Sequence, residues 1–480
     1  MILATYLFQA SQANASLSLD SFLNDVRQKN GNYQGSVDAL KGSIGRARES
    51  ELLTAPTLFS TVQYQNDAKL PVLPFFSYER LITENFTLGI SEQFSFGLKA
   101  RAYYAYDSTN YVNASLASGG LNPSIFTPRD ARPVVELTFP LLGGGFGRTV
   151  QANQELILSQ AKSDQSNAES QLRNILVQAE SVYWQLSVSR DIVAIKERAV
   201  REAQATYEYN ERKVRMNLAE SSDVLQSDAS LQNAKLSLKS ARDNQRSAER
   251  SFNLIRNVPP ETIPELLTSP EWDAIENAAI PKERPGNRAD VEAAFAQVNV
   301  TQANSKIATE SDYPTLEVYG TYALNGRDYS SFQNAFSNSY TAGRPTTVVG
   351  VRFNMPLFLG AASDARAGAA LQAVGAERRY DQTLADQNQQ WYDLVSKLTD
   401  VQAQFHYARI IEKVQKKKLD NEKQQLRRGR STTFQVLQFE QDFTNAELFR
   451  AQVGAQVLNL KSQLKLYAPS TPSPIITTAR

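Results

Sequence analysis

The chain reads Asn217-Leu218-Ala219-Glu220-Ser221-Ser222-Asp223-Val224-Leu225-Gln226 in its first half. In its second half it reads Gly429-Arg430-Ser431-Thr432-Thr433-Phe434-Gln435-Val436-Leu437-Gln438. Val-Leu-Gln recurs 212 positions later, and Asn233-Ala234 returns as Asn445-Ala446 at the same offset. Each stretch opens on Asn217 or Gly429, the two residue types that best tolerate a left-handed backbone. Around each lies a long run without proline, Leu141 to Val258 and Leu357 to Ala468. Proline is the strongest helix breaker, so these runs predict two long helical hairpins with tips near 217 and 429.

The runs carry a coiled-coil pattern. Leu172, Ile175, Ala179, Val182, Leu186 and Val193 follow a 3-4 alternation that continues through Tyr207 and Val214. It has polar gaps at Ser189, Lys196 and Asn210. In the second half Leu384, Trp391, Leu398 and Phe405 step by seven, with Leu394, Val401 and Ala408 between them. Such spacing buries one helix seam against another. The arm before each tip is expected to be about 68 residues, a rod of roughly 100 Å at ~1.5 Å per residue, and the arm after it about half that.

The repetition reaches back before the hairpins. Residues 17–53 read as helix, with Leu19, Phe22, Leu23 and Val26 on one face, and end at Pro56-Thr57-Leu58. Residues 288–311 read as helix and end at Pro314-Thr315-Leu316. After each break the period becomes two, the signature of strands. Phe94, Phe96, Leu98, Ala100, Ala102, Tyr104 and Tyr106 share one face, opposite Ser95, Gly97, Lys99 and Arg101. Val135, Leu137 and Phe139 continue the theme, as do Val349, Val351, Phe353 and Met355. Apolar and polar faces alternating in this way suit a membrane barrel, and equally a soluble sheet with one face packed. Residues 107–130 and 325–344 are rich in Ser, Asn, Gly and Tyr and read as loops. The first strand region is twice as long as the second, which leaves four or six strands per protomer open.

The domain organisation that follows has a first repeat over 16–258, with helix 17–53, strands 57–139 and a hairpin over 141–256. A proline-rich connector spans 259–287. The second repeat covers 288–468, with helix 288–311, strands 315–355 and a hairpin over 357–468. Residues 469–480 read as a disordered tail. Residues 1–15 resemble the end of a secretory signal, with an apolar run followed by Ala13-Asn14-Ala15.

Composition excludes several chemistries. The net charge is +1, so nothing draws the chain toward nucleic acid. It has no cysteine, which removes disulfides, thiol nucleophiles and cysteine-ligated metals. The single histidine, His406, sits inside a heptad helix, where a structural role outweighs catalysis. Gly143-Gly144-Gly145-Phe146-Gly147 lacks the spacing of a phosphate loop and reads as a joint between strand and helix. The basic runs Lys416-Lys417-Lys418 and Arg427-Arg428 with Arg430 read as solvated helix surface. No catalytic residue, metal or cofactor is expected.

Helix, proline break, strands and a long hairpin with a left-handed tip, in that order and twice over, resemble the TolC family of outer-membrane efflux proteins. The marks are Val135 to Leu142 echoed by Arg352 to Phe358, Arg427-Arg428-Gly429 followed by Val436-Leu437, and Asn287-Arg288-Ala289-Asp290-Val291 leading to Tyr313-Pro314-Thr315-Leu316. The resemblance implies a mostly α, internally duplicated fold. Long coiled-coil hairpins would form a periplasmic α-barrel, joined to a trimeric transmembrane β-barrel. It implies the outer membrane with a periplasmic extension as location. It implies a homotrimer that meets a periplasmic adaptor, an inner-membrane pump of RND or ABC type and outer-membrane lipid, with no nucleic acid. The function implied is the passive exit duct of a tripartite efflux or type I secretion system. The alternative is a coiled-coil scaffold of the cell envelope without a pore.

The resemblance places adaptor docking at Asn217, Leu218, Ala219, Gly429, Arg430 and Ser431. It places acidic rings of the closed pore at the positions held here by Gln435 and Gln438. Asp223 occupies the matching site in the first repeat, and Glu440 and Asp442 stand where they can supply charge instead. All five are candidates for the constriction.

Overall fold

The computed structural model describes residues 16–69, 76–116, 127–341 and 343–469. The signal-like segment and residues 470–480 of the tail lie outside the described residues.

In chain order, α1 (Leu19–Lys29), α2 (Gly31–Ala47) and α3 (Glu49–Leu52) come first. The strand region follows: β1 (Thr57–Asp67), β2 (Phe76–Ser77), β3 (Arg80–Gln93), β4 (Lys99–Val112), β5 (Ser115–Leu116) and β6 (Arg129–Leu142). Then come the hairpin helices α4 (Arg148–Arg215) and α5 (Ser221–Ile255), and the short α6 (Trp272–Glu276). The second half holds α7 (Ala289–Ser311), β7 (Thr315–Leu324), β8 (Gly326–Asp328), α8 (Phe332–Thr341) and β9 (Pro345–Asn354). It ends with the hairpin helices α9 (Leu359–Arg427) and α10 (Thr433–Leu464).

The chain forms two compact units. One comprises Gly42–Ser163 and Ala294–Asp381; the other comprises the residues before Gly42, Asp164–Ala293 and the residues from Gln382 onward. The helices α2, α4, α7 and α9 contribute residues to both.

The first unit is built on one antiparallel sheet in the order β1-β3-β4-β6-β7-β9, with β8 pairing β6. Six long strands therefore answer the count left open by the sequence. Four come from the first half, because the additional hairpin β3–β4 is real. The outer strands β1 and β9 each pair on one side only among the described residues.

The two faces of the sheet differ sharply. Leu58, Ile90, Ala102, Val135 and Tyr322 form one cross-strand row, and Val62, Phe86, Tyr106 and Ala131 another. Most of these large apolar groups are exposed, as are Leu88, Leu137, Val349 and Phe353 on the same face. The other face carries Asn85, which donates to Asp107, and Arg132, which pairs with Asp107. Arg101 meets Glu136 at 3.2 Å, and Arg352 meets Glu317 at 3.6 Å. A soluble sheet would cover its apolar face and wet its polar one. Here, among the described residues, the apolar face is bare except where α8 lies on β6 and β8, and the polar face is laced with ion pairs.

Several sequence expectations are corrected here. Phe94, Phe96 and Leu98 do not extend a strand. They form the tight turn between β3 and β4, closed by the Phe94 amide on the Leu98 carbonyl (2.8 Å) and by Gly97 at φ +96°. Residues 107–130 are not all loop, since β4 runs on to Val112 and β6 begins at Arg129. Residues 325–344 hold β8 and α8, and α8 folds back onto the sheet. Pro140 lies within β6, where the register to β7 shifts between Pro140 and Leu142. The single helix expected over 17–53 is three helices. Asn30 ends α1 in extended backbone, and its side chain accepts the Tyr33 amide at 2.9 Å to start α2.

The strand-to-helix joint at 143–147 is strongly bent. Gly143, Gly144 and Gly147 all have positive φ, and so does Phe146. A Cβ on Gly147 would collide with the Ser95 carbonyl of the β3–β4 turn. The glycines therefore let the joint sit against that turn.

The second unit has its own core. Phe22, Leu23 and Val26 of α1 pack on Ala179, Tyr183 and Leu186 of α4 and on Phe252 of α5. Phe22 and Phe252 stack at 4.5 Å between ring centres. The Tyr183 hydroxyl donates to the Leu17 carbonyl at 2.7 Å, so its polar end is satisfied. Each large apolar side chain buried here contributes roughly 1.5–3 kcal/mol. Arg256, nearly buried, bridges Asp25 (2.7 Å) and Glu265 (2.9 Å), tying α1, α5 and the connector together. The connector is packed: Trp272 rests on Phe405 and Gly454, where any Cβ would enter the indole ring.

Candidate functional site at the hairpin tips

The two tips close with the same backbone bonds. At the first, the Asn217 amide donates to the Val214 carbonyl (2.9 Å) and the Leu218 amide to the Lys213 carbonyl (2.9 Å). At the second, the Gly429 amide donates to Leu426 (3.0 Å) and the Arg430 amide to Gln425 (2.9 Å). Asn217 has φ +60° and Gly429 φ +73°. This is a left-handed helix cap, in which the last carbonyls find donors just past the turn.

The helices that leave the tips start differently. α10 begins with a capping box, in which the Thr432 hydroxyl accepts the Gln435 amide (3.3 Å) and the Gln435 side chain accepts the Thr432 amide (3.4 Å). α5 begins at Glu220 with no side-chain cap.

Of the expected docking residues, Asn217, Leu218, Gly429 and Arg430 are exposed, and Ala219 and Ser431 half-buried. Met216, Leu225 and Phe434 add exposed apolar surface nearby. Gln435 and Gln438 face outward on α10. Gln438 donates to Asp442 at 3.0 Å, and Asp442 pairs with Lys418 of α9 at 3.5 Å. Asp223 lies in the first turn of α5, where its carbonyl accepts the Ser227 hydroxyl at 2.8 Å.

Glu440 turns inward instead. Its carboxylate meets Lys423 of α9 at 3.1 Å and accepts from the Thr206 hydroxyl of α4 at 3.4 Å. Lys423 also holds Glu202 of α4 at 2.6 Å. Burial pushes the Glu440 carboxyl up, against the pull of Lys423. Burial works against charge on Lys423 too, but its hydrogen bond to Glu202 and the charge of Glu440 outweigh this and raise it overall. This triad joins three of the four long helices.

One step nearer the tip lies a contact the sequence reading did not assign. The Thr433 hydroxyl donates to the Asn210 Oδ1 at 3.0 Å, and both side chains are buried. Asn210 Nδ2 also reaches the Asp223 carbonyl at 3.4 Å. Asn210 therefore links α4 to the starts of both α5 and α10. The signal was present, since Asn210 is one of the polar gaps in the heptad seam, and a buried polar seam residue commonly fixes register. A second gap, Lys196, lines a polar groove of about 340 Å³ with Glu202, Gln226, Asn233, Gln438 and Glu440. Burial lowers the Lys196 ammonium from its ordinary value.

Comparison with known proteins agrees with this geometry. Residues 281–468 match the family described as "Outer membrane efflux protein". Curated proteins give no match. Among solved structures, the chain is similar to the outer-membrane channel OprN at 14% identity, with a TM-score of 0.66 over 94% of this chain and 89% of that one. It is similar to the outer membrane protein VceC from Vibrio cholerae at 14% identity, with a TM-score of 0.64 over 94% and 96% of the two chains. It is similar to the CmeC outer membrane channel of Campylobacter jejuni at 14% identity, with a TM-score of 0.63 over 96% and 90%. At these identities the structures speak for the fold alone, and the family match covers the second half of the chain from residue 281. Over residues 281–468 the chain matches the outer membrane efflux protein family, and its fold is the one seen in outer-membrane channels such as OprN and CmeC.

Proposed function

We propose that the protein is the passive exit duct of a tripartite efflux or type I secretion system. The sheet lies in the outer membrane, and the helical hairpins lie in the periplasm. Three copies close the sheet into a barrel, β1 of each against β9 of the next. The hairpin tips receive a periplasmic adaptor, which couples the duct to an inner-membrane pump of RND or ABC type.

The observation that carries this reading is the bare apolar face of the sheet. Val349 is 77% exposed and Leu58 76%, on a face that runs across all six long strands. Strands of 10 to 14 residues reach the ~9–11 residues a tilted strand needs to cross a bilayer. The opposite face, with its ion pairs, suits a water-filled lumen. The uncapped edges call for further copies, because lipid offers backbone groups no hydrogen bonds.

Purified protein reconstituted in planar bilayers tests the duct. Uniform conductance steps are expected, together with dye accumulation in cells lacking the gene. A protein that leaves the membrane fraction in a salt wash, without detergent, and carries no current overturns the reading in favour of an envelope scaffold.

A further inference from the structure

The helix α8 has no evident place in a simple barrel. It lies in the connection from β7 to β9, at the end of the sheet opposite the ends from which α4 and α9 leave. It does not project as a loop. It lies flat on β6 and β8, and on the apolar face. Ala131, in the same face row as Tyr106, Phe86 and Val62, is fully covered beside it. The approach is close: a Cβ on Gly326, which is paired with Ala131, would strike the backbone of Ala335 and Ser339. Phe336 packs on Tyr104 at 5.3 Å between ring centres, and Phe332 on Tyr106 at 4.9 Å. Ser339 shares a hydrogen bond with the Tyr104 hydroxyl at 3.3 Å.

The sequence of α8, FQNAFSNSYT, contains no charged residue. Phe332, Ala335, Phe336, Ser339 and Tyr340 occupy one stripe, with Asn and Gln on the flank. The small members of that stripe meet the sheet and are buried, whereas Phe332, Phe336 and Tyr340 stay about half exposed. Aromatic rings with a wet polar flank are the composition that settles at the boundary between headgroups and acyl chains.

We propose that α8 is an interfacial anchor lying in the outer leaflet of the outer membrane, on the lipid side of the sheet. This rests on the barrel reading and adds to it a specific lipid contact. Continuity with the bare apolar face favours lipid as the occupant. A second copy of the chain is the poorer fit. β6 is the fourth of six strands, two strands from the β9 edge and three from β1, so a neighbour added at the nearer edge starts roughly 14 Å away at ~4.8 Å per strand. The lumen is excluded because α8 sits on the face opposite Asp107, Arg132 and Glu136.

Full-length protein in vesicles made with brominated phospholipid tests the anchor through introduced tryptophans. The native Trp184, Trp272 and Trp391 all lie in the other unit and give the background. Phe336→Trp is expected to be quenched more by lipid brominated near the headgroup than by lipid brominated at mid-chain. Leu88→Trp, at the middle of the apolar face, is expected to show the reverse order. Quenching of Leu88→Trp but not of Phe336→Trp overturns the anchor and leaves the barrel standing. Quenching of neither overturns both. Should Phe336→Trp fail to assemble, Tyr340→Trp reads the same depth from the exposed flank.

Discussion

The Thr433 hydroxyl donates to Asn210 Oδ1 across the gap between the two hairpins, and both residues are buried. Thr433→Val removes the donor and leaves a buried amide oxygen without a partner. The expected cost is about 1–3 kcal/mol. Asn210→Leu with Thr433→Val replaces both ends by apolar groups and is expected to recover most of it. Thermal unfolding of the single and double variants checks this. If Thr433→Val alone is neutral, the contact does not hold the hairpins together.

Lys423 stands between Glu202 and Glu440, and its removal leaves Glu440 buried without its cation. Lys423→Met is expected to destabilise by up to about 3 kcal/mol at neutral pH. The pH dependence has a definite sign. A carboxyl whose folded value is raised stabilises the fold below its unfolded value and loses that contribution as pH rises through the folded one. In Lys423→Met the Glu440 value rises further, so the variant should be closer to wild type at pH 5 than at pH 8. In wild type, the raised Lys423 contributes fully at neutral pH and loses its contribution only as pH climbs through its folded value, above the ordinary lysine range. Melting curves at several pH values decide; an equal deficit at pH 5 and pH 8 means Glu440 is not the group exposed by the change.

At the second tip, a Cβ on Gly429 would meet nothing within 4 Å, so any penalty there is purely backbone strain. With φ at +73°, Gly429→Asn is expected to be nearly silent and Gly429→Val to cost about 1–3 kcal/mol. Asn217→Gly should be tolerated for the same reason. A Gly429→Val protein that still assembles but no longer supports efflux would locate adaptor docking at this tip; retained efflux would remove the tip from the docking surface.

Gln435 and Gln438 face outward on α10, in line with Asp442. Gln435→Asp together with Gln438→Asp is expected to raise cation selectivity, as carboxylate rings do in pores. Reversal potentials in a salt gradient measure it. Unchanged potentials would mean that these positions do not line the narrowest part of the path.

The two faces of the sheet predict opposite outcomes for the same substitution one residue apart. Leu88→Arg puts a charge on the apolar face and should cost about 2–4 kcal/mol, with loss of membrane insertion. Thr87→Arg puts it among the polar groups and should insert normally. Heat-modifiable gel mobility of the two variants reports insertion.

The helical hairpins and their left-handed tips were legible because proline absence and a 3-4 seam are local signals that survive in one sequence. The Asn210 gap was also visible, but its partner Thr433 was not, because pairing across 223 positions leaves no local trace. Glu440 shows the same limit: its residue type suggested a free carboxylate, and only packing reveals Lys423 and Thr206 around it. Alternation identified strands but not where they turn. The Phe94–Leu98 turn keeps a period of two through its apolar residues while the backbone reverses at Gly97. The helix α8 was missed because its Ser, Asn and Tyr content imitates a loop.

The unpaired outer strands have a consequence for biogenesis. One copy exposes two rows of amides and carbonyls, on β1 and on β9, that water can satisfy and hydrocarbon cannot. On the proposed three-copy barrel, the bilayer would act as a checkpoint on stoichiometry, since an incomplete ring is penalised along its whole seam and a closed one is not. On that reading, entry into the membrane would depend on the concentration of copies able to close the ring.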